Sequence, residues 1–234
     1  MKVLGSVTGI LGIVFDIDNT VYYRTDEYLA AGSHNEVVEV AKILGVEPAE
    51  AQRRIAAKRQ EIATQQNRKV ALTEGVLALG VTRRQWDVLR CTAWNPEKWI
   101  QPDSEMSELM RRLADRFTVC FGTNSPSEIG ERIIELIGIR STVPKVLVFG
   151  PDNIGHSKPD PQFFSLIAQV AGLDPATCLS IGDREFSEGP PALEAGYAGA
   201  IIVPGSRDET LQVGEMLLSR TLSAQTHMEG GVSR

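Results

Sequence analysis

Cysteine is scarce in this chain. Three cysteines occur in 234 residues, Cys91, Cys120 and Cys178, and none stands in a C-x-x-C pair. That argues against a disulfide framework and against a cysteine zinc site. Two of the three sit in apolar runs, where cysteine behaves as a small hydrophobe. Positive charge is not in excess either: the formal net charge is -6, unlike the basic face of a general nucleic-acid binder. No apolar run reaches the ~18 residues of a membrane span. The N-terminal stretch carries one lysine and no small-residue cleavage site after an adequate apolar region, so it reads as a core strand rather than a secretory leader. Internal repeats are absent. These absences together lead to the expectation of a reduced, cytoplasmic setting with neither nucleic acid nor membrane as partner. Nothing in the sequence speaks to oligomeric state.

What remains, at 42% hydrophobic and 23% charged residues, is the composition of an ordinary globular protein. Five short apolar runs stand out: Ile10–Phe15, Phe117–Phe121, Val146–Phe149, Cys178–Ile181 and Ala200–Val203. Each is nearly continuous rather than alternating, as in strands buried on both faces. Helical patterns lie between them. One covers Pro126–Ile137 before Gly138. A second runs over Pro161–Ala171, with Asp160 as N-cap, Pro161 at the first helical position and Gly172 as stop. A third covers Glu188–Ala195, and Asp208–Leu218 closes the series. Strand alternating with helix implies parallel strands, so the expected fold class is α/β, a doubly wound parallel sheet. About a hundred residues separate the first two runs, far more than a crossover needs. Ser33-His34-Asn35-Glu36 and Thr82-Arg83-Arg84-Gln85 in that interval are capping-box sequences, and Pro48–Thr64 reads as a long helix. The expected division is a core over residues 1–21 and 101–222, a helical insert over 22–100, and a frayed Gly-rich tail over 223–234. Trp86, Trp94 and Trp99 fall in or beside the insert and read as packing residues.

Chemistry concentrates at the ends of the apolar runs. Asp16-Ile17-Asp18-Asn19-Thr20 follows the first. In an open α/β sheet ligands bind outside the carboxyl ends of the strands, and two carboxylates placed there favour a cation or a shared proton. Gly122-Thr123-Asn124-Ser125 follows the second run and offers a hydroxyl and backbone N–H groups before a helix. Lys158 lies among turn residues after the third, and Gly182-Asp183 follows the fourth, with Glu185 and Glu188 beyond it. Each cluster alone also has a plain reading, as an Asx turn, an N-cap cluster, a solvated lysine, or acids complementing a helix dipole. All four on one sheet edge are another matter. Carboxylates with oxygen-only partners suit a hard cation such as Mg2+; a cation, a lysine and backbone N–H groups suit a phosphoryl group.

The four clusters resemble, in order, the signature motifs of the haloacid dehalogenase-like (HAD) superfamily. Asp16-Ile17-Asp18-Asn19-Thr20 is similar to its DxDx(T/V), Thr123 to its second-motif hydroxyl, Lys158 to its third motif, and Gly182-Asp183 with a later acid to its GDxxxxD. The resemblance implies a Rossmann-like core with an inserted α-helical cap, and a Mg2+-dependent phosphohydrolase acting on a small phosphorylated metabolite. Asp16 would be the nucleophile forming an aspartyl-phosphate and Asp18 the acid/base. Lys158 would neutralise charge, Thr123 and the Asn124 N–H would bind phosphate, and Asp16, Asp18 (through its carbonyl), Asp183 and Glu188 would hold the metal. One departure stands out: the family's last acid is usually Asp, whereas Glu188 occupies the equivalent offset, and Glu185 is a second candidate. A sugar-phosphate mutase, a 2-haloacid dehalogenase and a catalytically silent binding protein are the alternatives. The run into Val21-Tyr22 is similar to pyrimidine 5′-nucleotidase-like members. Nucleotide, sugar phosphate and phosphoglycolate are therefore all open substrates. Tyr22, Tyr23 and Arg24 would lie at a hinge, and Arg59, Gln65, Gln66 and Arg68 are polar residues of the insert.

Overall fold

The computed structural model describes residues 1–229, with side chains through residue 219. Six strands form one sheet: β1 (Lys2–Gly5), β2 (Gly12–Phe15), β3 (Thr118–Gly122), β4 (Leu147–Phe149), β5 (Cys178–Gly182) and β6 (Gly199–Ile202), in the order β1-β6-β5-β2-β3-β4. All neighbours pair in parallel except β1, which runs antiparallel to β6. β2 and β5 are buried along their whole length, as the continuous apolar runs require. Register then sets the site. Phe15 lies opposite Phe121 on one side and Ile181 on the other, so the next residues, Asp16, Gly122 and Gly182, leave three adjacent strands at the same level. The Asp16 N–H still donates to the Ile181 carbonyl at 2.8 Å, which fixes the aspartate at the last rung of the ladder. Helices cover the sheet, and Phe163, Phe164 and Ile167 from the helix Pro161–Ala171 pack with Val14, Cys120 and Tyr197.

Four sequence expectations need correction. β1 was not anticipated: Lys-Val-Leu-Gly is four residues long and largely exposed, so it has neither the continuous hydrophobicity of a central strand nor enough length for alternation. The helix expected over Glu188–Ala195 is two short ones, Glu185–Glu188 and Pro190–Glu194. Two consecutive prolines, Pro190 and Pro191, bring no N–H to carry the first helix onward, and Gly189 makes the break. The first helix of the insert begins at Asp26, not after Ser33. Thr25 is its N-cap and accepts from the Tyr28 N–H, with Asp26 and Glu27 in the first turn; Ser33 is an interior residue. Finally, the last helix runs Arg207–Glu229, so the tail expected over 223–234 is helical as far as Glu229, and 230–234 lie outside the described residues.

The chain forms two compact units. Thr25–Trp99 is one; Met1–Arg24 with the chain from Ile100 onward is the other. The division falls three residues inside the expected boundary at one end and one at the other. Thr25–Trp99 is wholly helical, with helices Asp26–Leu44, Pro48–Gln66, Leu72–Leu77 and Arg83–Ala93. The Thr82 capping box forms as its sequence requires. Trp86 and Trp94 are buried, and Trp99 stacks on Tyr28 with ring centroids 6.0 Å apart. Glu36 is the buried charge of this unit. Its Oε1 accepts from Arg90 Nε at 2.9 Å and from the Trp94 indole N–H at 2.7 Å. Among the described residues no helix is long and apolar enough to cross a membrane.

Removing Glu36 takes away a buried acceptor shared by the Arg90 guanidinium and the Trp94 indole, which costs about 3 kcal/mol. All three tryptophans belong to this unit, so tryptophan fluorescence reports its unfolding alone. Glu36→Ala is expected to move the fluorescence-detected urea transition to lower denaturant by that amount, while circular dichroism retains a later transition from the sheet unit.

Candidate active site

Lys158 organises the strand-end cluster. It projects from the loop between β4 and the helix Pro161–Ala171, and its side chain is 3% exposed. Its ammonium donates to Asp16 Oδ1 at 2.7 Å, Glu188 Oε1 at 2.6 Å and the Gly122 carbonyl at 3.0 Å. An ammonium has three protons, so all are used. The backbone of Lys158 is held as firmly as its head group. Asn124 Oδ1 accepts from the Lys158 N–H at 2.9 Å, and Asn124 Nδ2 donates to the Lys158 carbonyl at 2.9 Å. Asn124 was expected only to offer its backbone N–H. Its side chain proves to be a two-point clamp joining the loops after β3 and β4.

Glu188 is buried and committed. Besides Lys158, it accepts through Oε2 from the Ser180 hydroxyl at 3.4 Å. The added methylene relative to aspartate fits into space vacated by a glycine. A Cβ at Gly182 would lie 2.4 Å from Glu188 Cγ and 3.1 Å from Asp16 Cβ, so only glycine lets the two acidic side chains converge across β5. Glu185, the other candidate, faces outward and pairs with Lys2 on β1 at 2.6 Å.

The electrostatics follow from the count. With all three groups ionised, two buried carboxylates would face one ammonium with one negative charge in excess, so the cluster favours a retained proton or a further cation. On Asp16, burial is the strongest influence; with repulsion from Glu188 and Asp18 it outweighs the attraction of Lys158, and the carboxyl is pushed from its ordinary 3.8 up to about 8. Burial likewise raises Glu188, against the pull of Lys158. For Lys158, burial works against the charge, but the two carboxylates outweigh it and hold the ammonium protonated.

The remaining site residues sit around this core. Thr123 is buried; its N–H donates to the Phe149 carbonyl at 2.8 Å, and its hydroxyl oxygen accepts from the Ser125 N–H at 3.0 Å. The hydroxyl proton is thus still to be directed, and an anion could take it. Asp183 follows β5 with its side chain 10% exposed, and Arg184 Nε lies 3.6 Å from its Oδ2. Asp18 is not bonded to Lys158. Its Oδ1 accepts from the Tyr22 hydroxyl at 2.5 Å and lies 3.7 Å from Arg24 Nη1. Tyr22 and Arg24 suggested only a hinge in the sequence. Their proximity depends on Asn19, whose φ of 58° reverses the chain, a conformation asparagine tolerates.

The donor set fits a hard divalent cation. Asp16, Asp183 and the Asp18 carbonyl offer oxygen only, and a positive ion here would displace the proton that the raised Asp16 carboxyl otherwise keeps. Among the described residues no three acidic, histidine or cysteine side chains gather as a metal group. A cation held here would therefore draw on one or two carboxylates, with main-chain, phosphoryl and water oxygens completing its shell, as Mg2+ commonly does. Glu188 contacts Lys158 through Oε1.

The raised Asp16 carboxyl has a consequence for stability. Because its folded pKa lies above the unfolded value, its contribution is fully present below about 3.8 and is lost as pH rises through about 8. Asp16→Asn copies the protonated form and keeps an oxygen for Lys158. In metal-free protein followed by circular dichroism, the stability of Asp16→Asn relative to wild type is expected to improve steadily across that window. Parallel pH profiles for the two proteins would show that Asp16 is not perturbed.

Parts of the chain are similar to known proteins. A segment of 72 residues is 35% identical to an N-acetylmuramic acid 6-phosphate phosphatase of Pseudomonas putida, covering 30% of this chain and 31% of that protein. Another of 79 residues is 34% identical to the fructose-1-phosphate phosphatase YqaB of Escherichia coli, covering 34% and 41%. The matches thus span less than half the length of either relative. A HAD phosphatase from Thermococcus onnurineus shares the fold, with a TM-score of 0.54 at 18% identity over 83% of this chain and 86% of that one. The family description "haloacid dehalogenase-like hydrolase" matches residues 10–196, four-fifths of the sequence and every strand-end cluster, and the chain belongs to the haloacid dehalogenase-like hydrolase family.

Proposed function

We propose that this protein is a divalent-cation-dependent phosphatase that hydrolyses a small phosphate monoester through an aspartyl-phosphate on Asp16. The observation that carries the reading is the Asp16 carboxylate held 2.7 Å from the Lys158 ammonium, at the end of the central strand, with a second aspartate two residues on. A bound Mg2+ would supply charge neutralisation between carboxylate and phosphoryl group. The rest falls to the chain. Lys158 fixes Asp16 Oδ1, so the other oxygen is the attacking one. The Thr123 hydroxyl and the backbone after β3 receive the phosphoryl oxygens. Asp16 forms a bond to phosphorus as the ester P–O bond breaks, and Asp18 gives its proton to the leaving oxygen. Water then attacks phosphorus, Asp18 takes the water's proton, and phosphate leaves with Asp16 restored. Glu188 acts by holding Lys158 in place. A dehalogenase needs no such acid, which makes Asp18 the residue that favours phosphate over halide.

The unit Thr25–Trp99 would serve as the cap that sets specificity. The two curated relatives act, by name, on phosphorylated sugars, so a phosphosugar is the first substrate class to test, ahead of nucleotides and phosphoglycolate. Asp18, Asp183 and Thr123 are assigned the acid/base, metal and phosphate roles on the same grounds.

Asp16→Asn is expected to reduce turnover by roughly four orders of magnitude or more with circular dichroism unchanged. Rapid quenching with labelled substrate should trap phosphate on Asp16 of the wild-type protein; label elsewhere, or turnover by the variant, would refute the nucleophile. Chelation should abolish p-nitrophenyl phosphate hydrolysis and added Mg2+ restore it. Full activity in chelator would remove the cation from the scheme.

A further inference from the structure

The carboxylate of Asp18 is held by a device of its own. The Tyr22 hydroxyl donates to Asp18 Oδ1 at 2.5 Å, and the Arg24 guanidinium stands 3.7 Å from the same oxygen. Both contacts are sheltered: Tyr22 is 8% exposed, and the Arg24 and Asp18 side chains 15% and 21%. The backbone enforces the arrangement. Asn19 turns the chain through a positive φ, its Oδ1 accepts from the Arg24 N–H at 3.0 Å, and Asp18 and Tyr22 form a β-bridge.

We propose that Tyr22 is a positioning residue for proton transfer by Asp18, with Arg24 in support. This inference rests on the acid/base reading of Asp18 given above. A carboxylic acid has two oxygens, and only one can face the leaving group. The hydroxyl claims Oδ1 as acceptor in either protonation state, so the proton of neutral Asp18 resides on Oδ2. When the P–O bond breaks, the leaving oxygen takes that proton together with the bonding pair, and Asp18 becomes a carboxylate. The developing charge is shared with Oδ1, where a hydroxyl donor and a guanidinium already stand. In the second half-reaction the attacking water returns a proton to Oδ2. Tyr22 carries the larger share, because its contact is a direct hydrogen bond, whereas Arg24 at 3.7 Å acts only through a partly solvated field. Tyr22 thus never touches the reacting atoms; it decides which oxygen of Asp18 does.

The test exploits leaving groups that do not need a proton. Wild type, Tyr22→Phe and Asp18→Asn are assayed for kcat/KM on a series from 2,4-dinitrophenyl phosphate through phenyl phosphate to an alkyl phosphate. General acids contribute about 10²–10⁴-fold, so loss of positioning should remove part of that. Tyr22→Phe is expected to fall about tenfold or more on the alkyl ester and to remain within about twofold on the dinitrophenyl ester. Asp18→Asn should show a steeper version of the same trend. The double variant should be no worse than Asp18→Asn alone, as for residues acting through one another. The phenylalanine keeps the buried ring, and circular dichroism checks that the fold is intact. A uniform loss across leaving groups, or no loss on the alkyl ester, overturns the role of Tyr22 while leaving Asp18 as acid. A uniform loss in Asp18→Asn itself overturns both.

Discussion

A single ammonium group stands between two buried carboxylates at the carboxyl edge of the sheet, and the geometry of the site depends on it. Lys158 Nζ reaches Asp16, Glu188 and the Gly122 carbonyl, which ties together the loops or ends of β2, β3, β4 and β5. Without it, two acids would be buried unpaired, at a cost of several kcal/mol. With it, full ionisation would still leave one negative charge in excess, so Asp16 keeps a proton that a further cation would displace.

That contact in turn depends on features without charge. Strand register brings Asp16 level with Gly122 and Gly182, so the site needs no long side chains to assemble. Gly182 leaves the room that the longer Glu188 occupies. Asn124 spends both ends of its amide on the backbone of Lys158, so the lysine enters the cluster from an ordered loop and loses little entropy there. Asp18, two residues from Asp16, belongs to a different local structure: the Asn19 turn delivers Tyr22 and Arg24 to it. The two acids of one pentapeptide therefore face different partners, Lys158 for Asp16 and Tyr22 with Arg24 for Asp18. Separate environments for paired acids are the usual way to give them separate roles.

The fold itself is largely legible in the sequence. Strands buried on both faces write themselves as unbroken apolar runs, and β2 to β6 were found for that reason. Helix ends marked by Gly138 and Gly172 were legible because only glycine takes those conformations cheaply. Where expectation failed, a weak local signal met a tertiary one. β1 is a short, exposed edge strand that exists because β6 offers it a ladder. The Ser33–Glu36 pattern looks like a helix start, yet Glu36 serves other partners within the fold: it faces Arg90 and Trp94, 54 and 58 residues away.

Sequence alone determined the fold class, the order of the strand-end clusters and the identity of Asp16, Asp18, Thr123, Lys158 and Asp183 as the residues to examine. Those rest on local periodicity and on residue chemistry, which need no third dimension. Only the tertiary structure decided what each polar atom faces. It put Glu188 on Lys158, sent Glu185 outward to Lys2, turned the Asn124 side chain into a clamp and brought Tyr22 to Asp18. Such pairings join residues up to 183 positions apart or reverse the chain within a tight turn, and neither distance nor direction is written in a one-dimensional pattern.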